Sequence, residues 1–211
     1  MKRTILLLLP VIALAATGAD GDRKSREEKL GELWQEALDK GSGGETAEAM
    51  LLASRYVKEG GDAYLATLQA AWLNYNEKKF DDATKHYTSA ARLQPGAVSP
   101  RLGLLNIADA KSDVAGALKA GELVLAVEPT NYRALYAVAW GSFQAKKYSA
   151  AASAYRRILS LYPEDKGALS GTAWAAYYQG QKTGAKQIFR KLISIDPDYQ
   201  YARQGLEACG Y

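Results

Sequence analysis

Reactive side chains are scarce in this sequence. Its 211 residues include one His, His86, and one Cys, Cys209, too few to build a His/Cys metal site or an internal disulfide. No Gly-rich phosphate loop, paired-His spacing or Ser nucleophile motif occurs. His86 stands between Lys85 and Tyr87 and reads as a solvated surface imidazole. Cys209 reads as an inert or partly buried thiol, with an intermolecular disulfide as the alternative. The acidic pair Asp81-Asp82 opens a helical pattern, where carboxylates are favoured by the helix dipole. No residue is assigned to catalysis, to a cofactor or to a metal, and the expectation is a protein that is not an enzyme.

Rings are plentiful instead. Trp72, Trp140 and Trp174 are followed three residues later by Tyr75, Phe143 and Tyr177, and Tyr136 stands four before Trp140. Spacing of four then three keeps such residues on one face of a helix. Exposed, these rings can anchor an apolar segment of another protein or stack on a sugar; buried, they are core. Positive charge offers less. The pairs Lys78-Lys79, Lys146-Lys147, Arg156-Arg157 and Arg190-Lys191 recur without interleaved aromatics, unlike a channel for single-stranded nucleic acid. The 27 Lys and Arg are spread among 23 Asp and Glu for a net charge of +4, so nucleic acid is not expected as a partner. At 48% hydrophobic and 24% charged, the chain has the balance of a soluble globular protein.

The elements that must position these rings repeat. Pro95, Pro129, Pro163 and Pro197 follow one another at intervals of 34 residues. Twelve residues before each stands Ala83, Ala117, Ala151 or Ala185, and two before each a branched aliphatic, Leu93, Val127, Leu161 or Ile195. Eight before stand Tyr87, Gly121, Tyr155 and Phe189, with Gly121 breaking the set. A constant period with fixed small, aromatic and Pro positions means a stacked solenoid. Each unit holds two helical patterns. First helices are predicted over residues 64–76, 100–111, 132–144 and 167–179, and second helices over 81–93, 114–127, 149–161 and 183–195. The joints between them are short enough to force neighbours antiparallel. Ala permits close helix approach, and Pro stops each second helix.

The two ends differ from the repeats. Lys2 and Arg3, an apolar run over residues 5–16 and small residues through Ala19 form the three-part pattern of a signal peptide over residues 1–19. The run is shorter than the roughly 20 residues that span a bilayer; an uncleaved anchor is the alternative. Losing Lys2 and Arg3 would lower the net charge from +4 to +2. The expected location is periplasmic or secreted, with membrane contact only through the signal segment. Residues 20–28 are charged and read as a flexible leader. Residues 29–62 read as a degenerate first unit acting as an N-terminal cap, with Gly61 where Pro would stand. Residues 63–197 hold four full units, and 198–211 a closing helix for which Asp198 is the expected cap.

These residues resemble the tetratricopeptide repeat (TPR) family, whose 34-residue unit carries small, aromatic, Ala and Pro positions in this order. The resemblance covers residues 64–197. It is looser in unit two, where Leu105 replaces the small residue seen as Ala71, Ala139 and Ala173. The aromatic that opens the second helix is Phe80 and Tyr148, but Val114 and Lys182 elsewhere. The resemblance implies an all-α, right-handed superhelix of stacked antiparallel helix pairs. It also implies a concave groove lined by Trp72, Tyr75, Tyr136, Trp140, Phe143, Trp174 and Tyr177, with Tyr178 at its edge. Some family members hold a terminal carboxylate with a Lys, Asn and Arg cluster; here the matching face offers only Asn106 and Arg133. The function expected is an exported scaffold binding a protein or peptide, in cell-envelope assembly or maintenance. The alternative is a glycan or peptidoglycan module, for which Asn76, Asp109 and Gln144 are the nearest polar groups. Self-association through the ends of the superhelix is compatible with either.

Overall fold

The computed structural model describes residues 18–210, and the described residues are helical throughout, with no strand. The expected signal segment lies outside the described residues except for Gly18 and Ala19. The chain divides into two compact units at Asp62.

The first unit is one antiparallel pair, α1 (Gly18–Ser42) and α2 (Thr46–Lys58). Leu33 and Ala37 are buried in α1, Ala49 and Ala53 in α2, and Trp34 meets Tyr56 with ring centroids 4.9 Å apart. Gly61 lies under that Tyr56 ring, where a Cβ would fall 2.4 Å from ring carbon. Residues 20–28, expected as a flexible leader, are instead the opening turns of α1. The helix formers Arg23, Lys24, Arg26, Glu27 and Glu28 and an Arg23–Glu27 pair one turn apart, at 3.2 Å, support the helix although the segment carries no large apolar side chain. Arg26 adds a donor to the Glu59 carbonyl at 2.8 Å.

The second unit holds four helix pairs and a closing helix. The pairs are α3 (Ala63–Asn76) with α4 (Phe80–Leu93), α5 (Ser99–Ala110) with α6 (Val114–Leu125), α7 (Tyr132–Gln144) with α8 (Tyr148–Leu161), and α9 (Lys166–Tyr178) with α10 (Lys182–Ile195); α11 (Gln200–Cys209) follows. Each second helix also packs on the next first helix, and α3 touches α5 as α7 touches α9. First helices therefore form an inner layer. The three-residue joints within pairs put Lys78, Ser112, Lys146 and Gly180 in the left-handed region, at φ 61°, 53°, 59° and 80°. Three of these four are not glycine, so the tight joint is held against a local backbone cost.

The recurring residues interlock between units. Ala83, Ala151 and Ala185 are fully buried. The ring eight residues before each Pro lies over a glycine in the following helix. A Cβ on Gly103 would fall 2.3 Å from the Tyr87 ring, on Gly171 2.3 Å from Tyr155, and on Gly205 2.3 Å from Phe189. The irregular unit exchanges the two sizes. Gly121 replaces the ring, and Ala137 fills the glycine position opposite, 3.2 Å from where a Gly121 Cβ would lie. Leu105, large where Ala is usual, packs with Ala108, Ala117 and Ala120. At the far end, Asp198 does not cap α11, which begins with no side-chain cap. Its carboxylate is drawn to Arg203 instead, at 3.0 Å.

Candidate functional site

The C-terminal turns of α7 and α9 and the first turn of α8 meet at one edge of the inner layer, and the rings gather there. Phe143 is the hub on α7. It lies 6.0 Å from Trp140, with planes 7° apart, and 5.4 Å from Tyr148, the first residue of α8. Tyr178, the last residue of α9, reaches back across the unit boundary to Phe143 at 5.7 Å and to Tyr148 at 4.9 Å. On its own helix it touches Tyr177 at 5.3 Å and Trp174 at 6.0 Å. Trp174 continues inward to the buried Phe189 at 5.3 Å. The result is one connected aromatic surface whose inner end is anchored in the core.

Its outer members remain open to solvent. Trp140 is 48% exposed and Tyr178 51%, while Phe143, Trp174 and Tyr177 are half-buried. The layer beneath them is filled by Leu135, Ala139, Ala151 and Ala175. Phe143, Tyr148, Trp174 and Tyr177 pack against that core on one side, and Trp140 and Tyr178 present their rings to water.

The sequence-predicted groove residues do not all join this surface. Trp72 is 46% exposed and has no ring neighbour among the described residues; Tyr75 pairs locally with Phe80 at 5.8 Å. Between them and Trp140 lies a polar bridge in which Arg133 donates to Asn106 and to Asp109, both at 2.7 Å. That bridge occupies the Asn and Arg that a terminal-carboxylate clamp would use, and it takes up one of the polar groups available to a sugar.

Tyr136 is turned to a different task. Its hydroxyl donates to Asp165 Oδ1, and Tyr132 donates to Oδ2 at 2.6 Å. Asp165 also caps α9 by accepting from the Ala168 N–H at 2.7 Å. Burial pushes the Asp165 carboxyl upward, but the hydrogen bonds from Tyr132, Tyr136 and two backbone N–H groups outweigh it and hold the carboxyl below its ordinary value. The Tyr136 phenol is held well above its ordinary range, by burial first and by Asp165 second. Tyr136 is thus a joint between α7 and α9.

One member escaped the sequence reading. Tyr148 occupies the position at which an aromatic opens the second helix, which suggested packing alone; here its ring stacks on Tyr178 at the surface. Lys146, Lys147, Ser149 and Gln179 surround it along an open depression of about 700 Å³.

Known proteins carry the same architecture. No curated protein matches the chain. A TPR protein from Parabacteroides merdae ATCC 43184 is 19% identical over 86% of this chain and 72% of its own, with a TM-score of 0.64. YrrB, described as a TPR protein with an unusual peptide-binding site, is 15% identical over 92% of this chain and 100% of its own, at 0.65. MamA from Desulfovibrio magneticus RS-1 is 16% identical over 82% and 97%, at 0.58. These likenesses concern the fold. Two tetratricopeptide-repeat family models match the sequence itself, over residues 101–165 and 142–208. With its 34-residue period, its interlocked ring and glycine positions and these matches, the chain belongs to the tetratricopeptide repeat family, a fold that serves as a protein-interaction scaffold.

Proposed function

We propose that this protein is an exported, non-catalytic scaffold that captures an extended or helical segment of another protein on the aromatic surface around Tyr178. The observation that carries the reading is the continuity of rings from Trp140 to Trp174 across two repeat units, open to solvent at Trp140 and Tyr178. Rings of this kind are the usual energetic anchors of protein interfaces. The description of YrrB, a structural neighbour, as having a peptide-binding site agrees with this use of the fold. A sugar would need hydrogen-bonding groups beside the rings, and Asp109 is held by Arg133. Export to the periplasm or the medium rests on the pattern of residues 1–19 and suits a role in envelope assembly or maintenance.

The test measures stability and capture on one variant. Trp140→Ala should cost about 2 kcal/mol of stability, because half the side chain is already in water. It should weaken capture of the partner from envelope extract by roughly thirtyfold, about 2 kcal/mol. A loss of about 3 to 5 kcal/mol in stability would instead mark the ring as core. N-terminal sequencing of the protein from its host tests export, and a retained Met1 in an integral-membrane fraction would end that part of the reading.

A further inference from the structure

Net charge conceals how unevenly the charges are distributed. Residues 63–131, which include α3 to α6, balance seven Lys and Arg against seven Asp and Glu; residues 132–195, α7 to α10, hold ten against two, a net charge of +8. Both acids of that stretch, Glu164 and Asp165, lie in the joint between α8 and α9, at the opposite ends of those helices from the aromatic surface. Asp165 is already occupied by two phenols and a backbone N–H.

The imbalance has a positional origin. In the first full repeat the joint lysines have carboxylates beside them, Lys79 with Glu77 at 2.5 Å, and Lys111 of the next joint with Asp81 at 3.4 Å. Moving by whole repeats, the positions of Glu77, Asp81 and Asp82 become Ala145, Ser149 and Ala150 in the third unit and Gln179, Thr183 and Gly184 in the fourth. Lys78 and Lys79 persist as Lys146 and Lys147 in the third unit while the anions do not, and the fourth unit, with Gly180 and Gln181 at those positions, gains Lys182 where Phe80 stands in the first. Lys146 and Lys147 line the depression next to Tyr148 and enter none of the ion pairs among the described residues. Lys182 sits with Nζ 5.8 Å from the Tyr177 ring centroid. An aromatic surface edged by three uncompensated ammonium groups is complementary to apolar side chains interspersed with carboxylates.

We propose that the occupant of this surface is an acidic protein segment, one that sets aromatic or branched apolar anchors on Trp140, Phe143 and Tyr178 and its Asp or Glu side chains against Lys146, Lys147 and Lys182. The inference rests on the aromatic docking reading above and adds its chemistry. It requires internal carboxylates rather than a free C-terminus, because Arg133 is committed to Asn106 and Asp109. Charge at the edge of an interface acts mainly on encounter rate and specificity, and it is screened by salt.

The test uses a fluorescein-labelled synthetic peptide with Glu residues flanking a Trp pair, and a twin with Gln in place of every Glu, both C-terminally amidated. Anisotropy titrations with the purified mature chain should show the Glu peptide binding about tenfold more tightly at roughly 50 mM salt, with the gap closing near 500 mM. Lys146→Asn with Lys147→Gln, which keeps Lys182, should remove most of the preference for Glu and leave the Gln peptide unchanged; Asn tolerates the positive φ at position 146. The charge-matched control, Lys78→Asn with Lys79→Gln, should change neither peptide. Trp140→Ala should weaken both peptides alike. Equal, salt-insensitive binding of the two peptides overturns the acidic assignment while leaving aromatic docking intact. No binding of either overturns both. Displacement of the Glu peptide by a single-stranded oligonucleotide reassigns the surface to nucleic acid and overturns the proposal. So does low-salt dimerisation abolished by the Lys146 and Lys147 changes, which would make the occupant a second copy, whose residues 20–62 carry eleven acids against seven bases.

Discussion

Tyr148 and Tyr178 stack with ring centroids 4.9 Å apart and planes 14° from parallel, across the boundary between two repeat units. Neither residue is the recurring Ala or the core ring of its repeat. The positions equivalent to Tyr178 in the other units are Asn76, Ala110 and Gln144, so this cross-unit contact belongs to the last two units alone.

Tyr178→Ala should therefore divide the aromatic surface without opening the core. Tyr178 is half exposed, so the area it buries is worth about 2 kcal/mol and its ring contacts add about 0.5 to 1.5 kcal/mol; the stability cost should stay near about 2 to 3 kcal/mol. Partner capture should fall about as far as in Trp140→Ala. Trp72→Ala, which removes an equally exposed but isolated ring, should leave capture unchanged. Denaturant melts and binding titrations on the three variants decide whether continuity of the rings matters, and equal losses at Trp72 and Tyr178 would argue that it does not.

The ring and glycine exchange between units makes a second prediction. Gly171→Ala places a Cβ 2.3 Å from the Tyr155 ring, and overpacking of this kind costs about 1 to 3 kcal/mol. Tyr155→Gly alone leaves a cavity. The double variant copies the natural Gly121 and Ala137 pair, so it should be more stable than the sum of the two single losses by a coupling of about 0.5 to 3 kcal/mol. Additive losses in urea melts would mean that the two positions do not pack against each other.

Much of the architecture was legible because it rests on chain-local rules. Pro95, Pro129, Pro163 and Pro197 fix the period, and apolar spacing fixes the faces, so all four full helix pairs fall within two residues of expectation. What escaped depends on partners distant in sequence. Helix periodicity gave Tyr136 the same face as Trp140, but Asp165, 29 residues away, claims its hydroxyl. Residues 20–28 lack apolar groups, yet charge pairing and the Glu59 carbonyl keep them helical. The surplus of lysines at the aromatic edge was present in the sequence all along and vanishes only when charges are summed over the whole chain.

Two buried phenols set the alkaline limit. Burial pushes Tyr87 and Tyr155 from 10.0 up to about 12. A phenol whose folded value is raised contributes stability that is complete below the unfolded value and is lost as pH rises through the folded one. Stability should fall between about pH 10 and 12, by roughly 2 to 3 kcal/mol per ring at most. The double variant Tyr87→Phe with Tyr155→Phe keeps both rings over their glycines and should flatten that decline. The slope that remains comes from Tyr136, held up by burial and by Asp165, from Tyr132, held up by its hydrogen bond to Asp165, and from paired lysines such as Lys166. An unchanged alkaline limb in the double variant would show that these phenols ionise as freely folded as unfolded.

Asp165 contributes to the acid limit and separates stability from binding at Tyr136. Its carboxyl is depressed in the folded state, so its contribution is present above the ordinary value of about 4 and is lost as pH falls through the lower folded value. Asp165→Ala removes the α9 cap and the acceptor for two phenols, which should cost about 1 to 3 kcal/mol at neutral pH. The gap to the wild type should narrow below about pH 4, as the wild type itself loses the charge. Tyr132→Phe with Tyr136→Phe keeps the cap but removes both donors, so the folded carboxyl titrates closer to its ordinary value and the acid loss is smaller and complete at a higher pH. Because these rings brace α7 against α9 and stand apart from Tyr178, that variant should leave partner capture unchanged at pH 7. A drop in capture matching that of Trp140→Ala would return Tyr136 to the binding surface, and an Asp165→Ala gap that persists at pH 2.5 would trace its cost to packing instead of charge.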